Sequence, residues 1–370
     1  MLNNENTRIG LALSGGGTRA AVFHLGILKW LAEKNLLGNI SAISSVSGAS
    51  ITIGLIYSIN DYKWPTSDEY LKKVLPKIQD LMTSKSLQFR TFLRLVYKPW
   101  YLNRRVNILA ESIKKDFGIN GTIDQLLSYP LWQINTTNFE TGKNWRISSK
   151  KMGDYKFGCT LKPNMPISIA IAASAGFPIF IGSYALKTKK YQWFEYDENK
   201  EPTIKITPSL KTVHLWDGGV YDNLGTEALI KNGVFYKDID YLLVSDAAGE
   251  IKTKERSKLL QHKNLERLIS IAIDQIRSLR ARQIVNYFIG NPHKGLYMKI
   301  GRTAEYILGN RKIPHPDKEK IMGSCINYEN AMKVQDFDTD LKKLTKEKFG
   351  LILKHGYEVI NCTYETYENI

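Results

Sequence analysis

IGLALSGGGTRA, residues 9–20 of this 370-residue chain, joins a short apolar run to three consecutive glycines. The run Ile9–Leu13 has the length and composition of a buried strand, and apolar residues recur at helical spacing along Ala20–Leu31. The pattern therefore predicts a strand, a tight glycine turn and a helix. Without side chains, the turn presents bare backbone N–H groups at the positively polarised end of the helix, where a developing oxyanion is stabilised.

A second junction of the same kind follows, with a hydroxyl at its turn. Ile40–Val46 is an uncharged run that predicts a strand, and Ile51–Ile59 predicts a helix. Between them, Ser47 lies at the turn and is followed by Gly48 and Ala49, two small residues that allow close approach of the backbone. A lone serine in such a turn is more often a helix cap. Beside a glycine loop suited to an oxyanion, Ser47 is a candidate nucleophile.

The glycine turn also fits the dinucleotide-binding fingerprint, as Gly15-x-Gly17-x-x-Ala20. That fold needs an acidic residue about 20 positions further on, which binds the ribose hydroxyls. The sequence has no Asp or Glu between Glu33 and Asp61. It also lacks the Gly-Lys-Ser/Thr that ends a Walker-type phosphate loop. We therefore expect no bound cofactor.

A third motif, His214-Leu-Trp-Asp-Gly-Gly219, supplies a candidate base. Asp217 follows an apolar run and precedes Gly218 and Gly219, which leave free backbone beside the carboxylate. An isolated Asp-Gly-Gly is as often a turn in which the Asp side chain bonds its own backbone. On a strand, His214 and Asp217 point to opposite faces because they are three residues apart.

The remaining histidines lie in polar or helical stretches without a partner motif. They are His24, His262, His293, His315 and His355. The sequence therefore favours a two-residue site, serine and aspartate, over a Ser-His-Asp triad.

The order Gly-Gly-Gly-x-Arg, serine elbow and Asp-Gly-Gly resembles the patatin-like phospholipase family of bacterial type, whose members use a Ser-Asp dyad. The resemblance implies that Ser47 is the nucleophile and Asp217 the base. It implies an oxyanion loop made by Gly15, Gly16, Gly17 and Arg19. Weaker matches follow in the family's order over 134–142, 170–180 and 242–246, so the resemblance covers about residues 7–250.

The serine elbow departs from the family's Gly-x-Ser-x-Gly. Ser45 and Ala49 replace its two glycines, while Gly48 keeps the position after Ser47. A nucleophile turn is crowded and needs small residues, and serine and alanine are the next smallest choices. The main hypothesis is an active lipid acyl hydrolase of phospholipase A type. The alternative is a binding or effector protein on the same scaffold, with little or no turnover, at the membrane surface.

Apolar strands alternate with helices along the chain, which predicts an α/β fold with a mostly parallel central sheet. The resemblance implies the family's three-layer αβα sandwich. We expect a catalytic domain over 7–250, interrupted at 61–130 by an inserted helical cap. Residues 251–370 are expected to form a C-terminal helical extension packed on the same domain, with helices over Ser257–Gln283 and Asp338–His355.

Cysteine content and termini indicate a cytoplasmic protein. The three cysteines, Cys159, Cys325 and Cys362, are scattered and lack metal-ligand spacing, so we expect neither disulfides nor a metal site. The first six residues are polar and do not resemble a secretory signal. Two uncharged stretches, Ile40–Asn60 and Ile167–Leu186, are broken by Ser, Gly or Pro, which favours buried core over a membrane span.

The net charge of +16 favours an acidic partner, although Lys and Arg are spread along most of the chain and a charge run is usually a solvated face. The segment Arg94–Arg105 interleaves cations with Trp100 and Tyr101, residue types that settle at an anionic bilayer surface. The alternative is a cap helix with its aromatic residues in the core. No nucleic-acid recognition motif accompanies the charge, so we expect no nucleic-acid partner. We predict peripheral association with the inner membrane surface, and the resemblance implies a phospholipid or other acyl-ester lipid as substrate. The sequence leaves the oligomeric state open.

Overall fold

The computed structural model describes residues 2, 6–177, 181–198, 201–251, 253, 261–310 and 316–368. Within them, the strands are β1 Ile9–Leu13, β2 Ile40–Ser45, β3 Leu131–Asn138, β4 Asn144–Ile147, β5 Lys151–Asp154, β6 Gly158–Leu161, β7 Tyr184–Lys187, β8 Trp193–Tyr196, β9 Pro202–Ile206, β10 Thr212–Asp217, β11 Ile230–Lys231, β12 Val234–Phe235, β13 Tyr241–Asp246 and β14 Gly295–Lys299.

The helices of the same residues are α1 Gly17–Glu33, α2 Gly48–Ile59, α3 Ser67–Glu69, α4 Leu75–Ser84, α5 Leu87–Tyr97, α6 Arg105–Asp116, α7 Ile167–Ser174, α8 Gly219–Asp222, α9 Gln261–Gly290, α10 Ala304–Gly309, α11 Lys318–Ser324, α12 Tyr328–Asp336 and α13 Lys346–Tyr367. A π-helical turn, Tyr70–Val74, joins α3 to α4, and a 3₁₀ helix, Pro99–Arg104, joins α5 to α6.

The central sheet has a parallel half and an antiparallel half. The order β14-β13-β1-β2-β3 is parallel throughout. Beyond β3, the strands β4, β5, β6, β8 and β9 continue the sheet in antiparallel pairs. Strand β10 also pairs with β3, antiparallel, so that Asp217 lies opposite Thr136. The carboxyl ends of the parallel strands are thereby brought next to the end of β10.

The sheet is covered on both faces, which gives the αβα sandwich. Along β1, Leu11 and Leu13 belong to the larger apolar cluster, while Ala12 belongs to a smaller one on the other face. This alternation follows from the two-residue period of a strand. The larger cluster includes residues of α1, α2, α7 and α13, and the smaller one includes Ile284 of α9.

Helix α13, from the C-terminal region, packs directly against α1. A Cβ at Gly26 would lie 2.1 Å from the Leu353 carbonyl oxygen, and one at Gly356 would lie 2.1 Å from that of Phe23. The two helices approach this closely because each has a glycine at the contact. Residues beyond 250 therefore share the core of the sheet domain.

Two predicted helices of the C-terminal region have different bounds in the structure. The helix predicted over Asp338–His355 begins only at Lys346, where the Thr345 hydroxyl accepts a hydrogen bond from the Lys348 N–H, and it continues to Tyr367. The helix predicted over Ser257–Gln283 is α9, and residues 257–260 lie outside the described ranges. Among the residues that the structure describes, no helix combines the length and apolar character that crossing a bilayer requires.

Candidate active site

The β1–α1 junction forms a tight loop whose glycines have positive φ. Gly16 has a φ of 148° and Gly17 a φ of 63°, conformations that L side chains rarely adopt. The Gly15 N–H already donates to the carbonyl oxygen of Asn223, at 3.0 Å. Gly15, predicted as an oxyanion donor, therefore holds the loop in place instead. Within the described residues, the N–H groups of Gly16 and Gly17 have no hydrogen-bond partner.

The β2–α2 junction is a strained elbow with Ser47 at its apex. Ser47 has a φ of 52° and a ψ of −117°, which is an outlier for a residue with a side chain. Gly48 follows it and lies against the glycine loop, since a Cβ there would be 2.1 Å from the Gly17 carbonyl oxygen. The two predicted motifs are therefore in backbone contact.

A chain of buried hydroxyls supports the elbow from behind. The Ser47 N–H donates to Ser174 Oγ at 2.9 Å, and Ser174 Oγ lies 3.1 Å from Ser50 Oγ. Ser50 Oγ lies 2.9 Å from Ser45 Oγ, which accepts from the indole N–H of Trp132 at 2.8 Å. The serine that replaces the first elbow glycine is thus bonded on both sides. Ala49, which replaces the second, is fully buried.

Asp217 lies at the end of β10, and its side chain meets Ser47. It is 6% exposed, its Oδ1 accepts the Gly219 N–H at 2.7 Å, and its backbone oxygen accepts the Thr137 hydroxyl at 2.8 Å. Burial raises the pKa of Asp217 to about 7, opposed by the hydrogen bond from the Gly219 N–H and, to a lesser degree, by the nearby Ser47 hydroxyl. A Cβ at Gly218 would lie 2.4 Å from the Asn135 carbonyl oxygen, so this position also needs glycine.

No histidine joins Ser47 to Asp217 among the described residues. His214 Nδ1 lies 2.6 Å from a Glu140 oxygen, and the His214 ring is not part of the cleft. His24 is buried between the Ser245 hydroxyl and the Ser14 carbonyl oxygen, and burial lowers its pKa to about 4.

Two of the other histidines have partners elsewhere in the fold. His355 accepts the Gly301 N–H, and His293 Nδ1 lies 3.0 Å from a Glu368 oxygen. The side chain of His262 and all of His315 lie outside the described parts of the chain.

Arg19 projects from the first turn of α1 towards the C-terminal region. Its guanidinium donates to the carbonyl oxygens of Gln335 and Phe337, at 2.9 and 2.5 Å, and to the Thr339 hydroxyl at 3.2 Å. Burial lowers the pKa of Arg19 to about 10, although the nearby carboxylates, Asp246 above all, oppose this shift. Arg19 thus braces the loop by binding residues 335–339, and only its Nε–H, buried at the cleft wall, has no partner in the described structure.

A cleft of about 260 Å³ opens beside these groups. Gly15, Gly16, Ser47, Asp217 and Asn223 line one side of it.

The rest of the cleft lining was not predicted. It comes from α9, through Ser270, Ile273, Asp274 and Arg277, and from Thr339. Arg277 is fixed there by ion pairs with Asp246 at 2.8 Å and Asp274 at 2.6 Å. No sequence motif marks these residues, because they reach the site only through packing of the C-terminal region. Ser174 and Asn223 did lie within quoted motifs, but without an expected role.

The geometry agrees with comparisons to known proteins. A family model described as patatin-like phospholipase matches residues 11–230. The structure of human GIVD cytosolic phospholipase A2 is similar, with a TM-score of 0.57 and 13% identity over 98% of this chain and 59% of that one. The same human protein in complex with methyl gamma-linolenyl fluorophosphonate gives a TM-score of 0.51, with 13% identity over 98% of this chain and 57% of that one.

These solved structures share the fold at low identity, and this chain spans less than two thirds of their length. No curated protein matches the chain in sequence.

Proposed function

The chain belongs to the patatin-like phospholipase family, and on that basis we propose that it is a lipid acyl hydrolase that cleaves fatty-acyl esters of membrane phospholipids. One observation carries the proposal. The Ser47 side chain lies near enough to the buried Asp217 carboxylate to influence its pKa, and both line a cleft that also holds the glycine loop. A nucleophile, a base and free backbone donors in one cleft are the parts that acyl transfer requires.

In the proposed reaction, Asp217 accepts the Ser47 proton while Oγ attacks the ester carbonyl carbon. The N–H groups of Gly16 and Gly17 stabilise the negative oxygen of the tetrahedral intermediate. Asp217 then gives its proton to the departing alkoxide, which leaves as the lysophospholipid. A water molecule, deprotonated by Asp217, attacks the acyl-enzyme and releases the fatty acid, and the proton returns to Ser47.

The raised pKa of Asp217 suits this role. A carboxylate with an ordinary pKa is a weak base towards an alcohol, and general bases are most effective when their pKa lies near the working pH. Burial raises the pKa of Asp217 to about 7. The carboxylate can therefore act as a base near neutral pH without a histidine between it and the serine.

The altered elbow is the one observation that favours a second function, a lipid-binding or effector protein without turnover. Ser45 fits its position, however, because its hydroxyl is bonded to both Trp132 and Ser50. We therefore propose the active enzyme, and turnover decides between the two.

The test is release of fatty acid from phospholipid vesicles by the purified protein. Diacyl phosphatidylglycerol should be hydrolysed, and its dialkyl ether analogue should not, because the ether has no carbonyl carbon to attack. Ser58→Ala, on the outer part of α2, serves as a control that should hydrolyse the diacyl lipid normally. No fatty acid from any diacyl lipid would contradict the hydrolase and favour the binding protein.

We further propose that the protein docks peripherally on anionic membranes through the cap segment, defined as residues 94–105. Tyr97 and Trp100 of this segment are 78% and 72% exposed, so the alternative in which its aromatics lie in the core is wrong. Arg94 and Lys98 are paired with Asp116 and Glu111. These pairs leave the exposed Arg104 and Arg105 as the cations of the segment that would face lipid.

Each Lys or Arg at an anionic surface contributes on the order of 1 kcal/mol, and the attraction is screened within about 10 Å at 0.1 M salt. Binding to phosphatidylglycerol vesicles should therefore be strong at low salt and weaker at high salt. Binding to neutral phosphatidylcholine vesicles should be weak at both. Equal binding to the two lipids, or none to either, would contradict docking driven by charge.

A further inference from the structure

The first half of α9 is a helix rich in leucine and isoleucine that has no buried residue. From 263 to 276 every residue is exposed or half-buried, although six of the fourteen are Leu or Ile. Leu265, Leu268, Ile271 and, about two turns beyond, Leu279 are between 42% and 62% exposed. Soluble proteins expose single apolar residues routinely, but an unpartnered apolar face on one helix marks an interaction site.

This face lies on the side of α9 that points away from the cleft. Successive residues of a helix are rotated by about 100° around its axis. Ser270, Ile273 and Arg277, which line the cleft, therefore share one side. Leu268 and Leu279 lie on the other side. The same helix thus forms a wall of the candidate active site and carries an apolar outer face, defined here as Leu265, Leu268, Ile271 and Leu279.

The charges of α9 favour an anionic partner for this face. The helix has five Lys and Arg residues, of which Arg277 and Arg280 are paired with carboxylates of the protein. It has only two carboxylates of its own, Glu266 and Asp274. Both carboxylates lie on the cleft side by the same rotation, and Asp274 is already paired with Arg277. The outer face has no carboxylate, while Arg282 lies on it and is exposed. Helices that lie in the interface of an anionic bilayer combine exposed apolar residues with cations.

Exposed apolar residues also lie near another part of the cleft lining. Thr339 lines the cleft, and two residues later the Leu341 carbonyl oxygen accepts the Gln88 N–H at 3.0 Å. Gln88 belongs to α5, whose exposed residues include Phe89 and Phe92. Exposed apolar residues are therefore present on both α9 and α5, and each of these helices is connected to the cleft lining.

We propose that the outer face of α9 is inserted into the interface of an anionic lipid bilayer, and that this contact keeps the protein on the membrane. The inference deepens the proposed function, since it names a second surface, besides the cap segment, that would hold the enzyme at its lipid substrate. It assigns a role to a helix beyond the residues matched by the family model, which end at 230. A second copy of this chain on the same face is the competing occupant, and the experiment separates the two.

The test is the double variant Leu268→Glu with Leu279→Glu in the full-length protein. Two carboxylates on the face should reduce binding to phosphatidylglycerol vesicles at least tenfold and reduce hydrolysis of vesicle lipid in proportion. Hydrolysis of the water-soluble ester p-nitrophenyl butyrate should stay unchanged, because neither residue lines the cleft. Ile204→Glu is the matched control. Ile204 is 51% exposed on β9, at the far end of the sheet, and its variant should bind and hydrolyse vesicles normally.

Wild-type vesicle binding by the double variant would overturn the proposal. The mass in solution gives a second outcome that would overturn it. If the wild type has the mass of an oligomer and the double variant that of a monomer, the face is a contact between copies. If the wild-type protein hydrolyses neither substrate, the proposed function fails, but the vesicle-binding comparison still tests the α9 face.

Leu268→Trp provides an independent readout that does not disturb the apolar character of the face. The fluorescence emission of the new tryptophan is obtained by subtracting the wild-type emission spectrum from that of the variant. It should shift to shorter wavelength on adding phosphatidylglycerol vesicles, and brominated lipid should quench it. An unshifted, unquenched spectrum on vesicles that bind the protein would show that the face stays in water and would overturn the proposal.

Discussion

The two strand–turn–helix junctions of the site make their sharp turns in opposite ways. At β1–α1 the turn is made of glycines, with Gly16 and Gly17 at φ values of 148° and 63°. At β2–α2 a residue with a side chain, Ser47, takes a φ of 52°, and its N–H is bound by the Ser174 hydroxyl at 2.9 Å. The β1–α1 junction depends on glycines, which have no side chain, whereas the β2–α2 junction depends on hydroxyl side chains.

The surroundings explain the difference. A Cβ at Gly17 would lie 2.5 Å from the Asp340 carbonyl oxygen. The elbow instead encloses buried hydroxyls that satisfy one another, and a buried polar group is costly only when it lacks a partner. Adding a methyl group should therefore damage the first junction, and removing a hydroxyl should damage the second.

The largest effect is expected at the apex of the elbow. Ser47→Ala removes the nucleophile, and losing a covalent nucleophile costs several orders of magnitude in rate. The helix and strand around it should remain folded, because the Ser47 N–H still donates to Ser174. The measurement is turnover of p-nitrophenyl butyrate together with the melting temperature. More than a few per cent of wild-type turnover would rule out Ser47 as the nucleophile.

Asp217→Asn should reduce turnover by about 10²–10⁴, the usual contribution of a general base. In the wild type, kcat/KM should rise with pH through about 7 as the carboxylate loses its proton. Stability should change in the opposite sense. Because the folded-state pKa of about 7 exceeds the ordinary 3.8, the free energy of unfolding falls as pH rises from about 4 to 7.

Both trends should vanish in Asp217→Asn, which has no proton to lose at this position. Retention of the wild-type pH profile of kcat/KM by this variant would assign the profile, and the base, to another group.

Gly17→Ala tests the first junction against a matched control. Gly142 has a similar φ, 65°, but open space around the Cβ position, whereas a Cβ at Gly17 meets the Asp340 carbonyl oxygen. Both alanine variants bear the same backbone strain, about 1–2 kcal/mol. Only Gly17→Ala should displace an oxyanion donor, with a loss of about 10²–10³ in kcat. Equal kcat values for the two variants would remove Gly17 from the oxyanion loop.

The smallest effect is expected at Ser45, the residue in place of the family's first elbow glycine. Ser45→Gly leaves the Trp132 indole N–H without its acceptor. An unsatisfied buried donor costs about 1–3 kcal/mol, so the free energy of unfolding should fall by that amount. The nucleophile keeps its own bond to Ser174, and kcat should change less than tenfold. Chemical denaturation and steady-state kinetics give both values, and an unchanged stability would mean that the hydroxyl chain does not support the elbow.

The sequence predicted the parts of the fold that depend on local patterns. The strand Ile9–Leu13 is confirmed, and the helices after both junctions form where apolar periodicity and glycine placement predict them. The patatin-like α/β fold is confirmed as well, with its parallel half around β1. The structure brings Ser47 and Asp217 together although 170 positions separate them, yet their catalytic roles stay predictions.

What the sequence could not predict depends on contacts between distant parts of the chain. Arg19 was expected in the oxyanion loop, but the partners through which it braces the loop were not predicted, since its guanidinium binds carbonyl oxygens more than 300 residues away, at Gln335 and Phe337. The Thr18 N–H likewise binds the Asp340 carbonyl oxygen at 2.8 Å. Residues 337–345, which include the Phe337 and Asp340 contacts, are not helical, and α13 therefore begins at Lys346, later than its apolar pattern indicated. The contribution of α9 to the cleft was missed for the same reason.

Covalent labelling by a fluorophosphonate, followed by peptide mapping, tests the central claim most directly. A fluorophosphonate reacts covalently with an activated serine hydroxyl. The account predicts one labelled residue, Ser47, at neutral pH, with labelling strongly slowed in Asp217→Asn. Label on a different serine, or no label on the folded protein, would contradict a serine hydrolase built on Ser47 and Asp217.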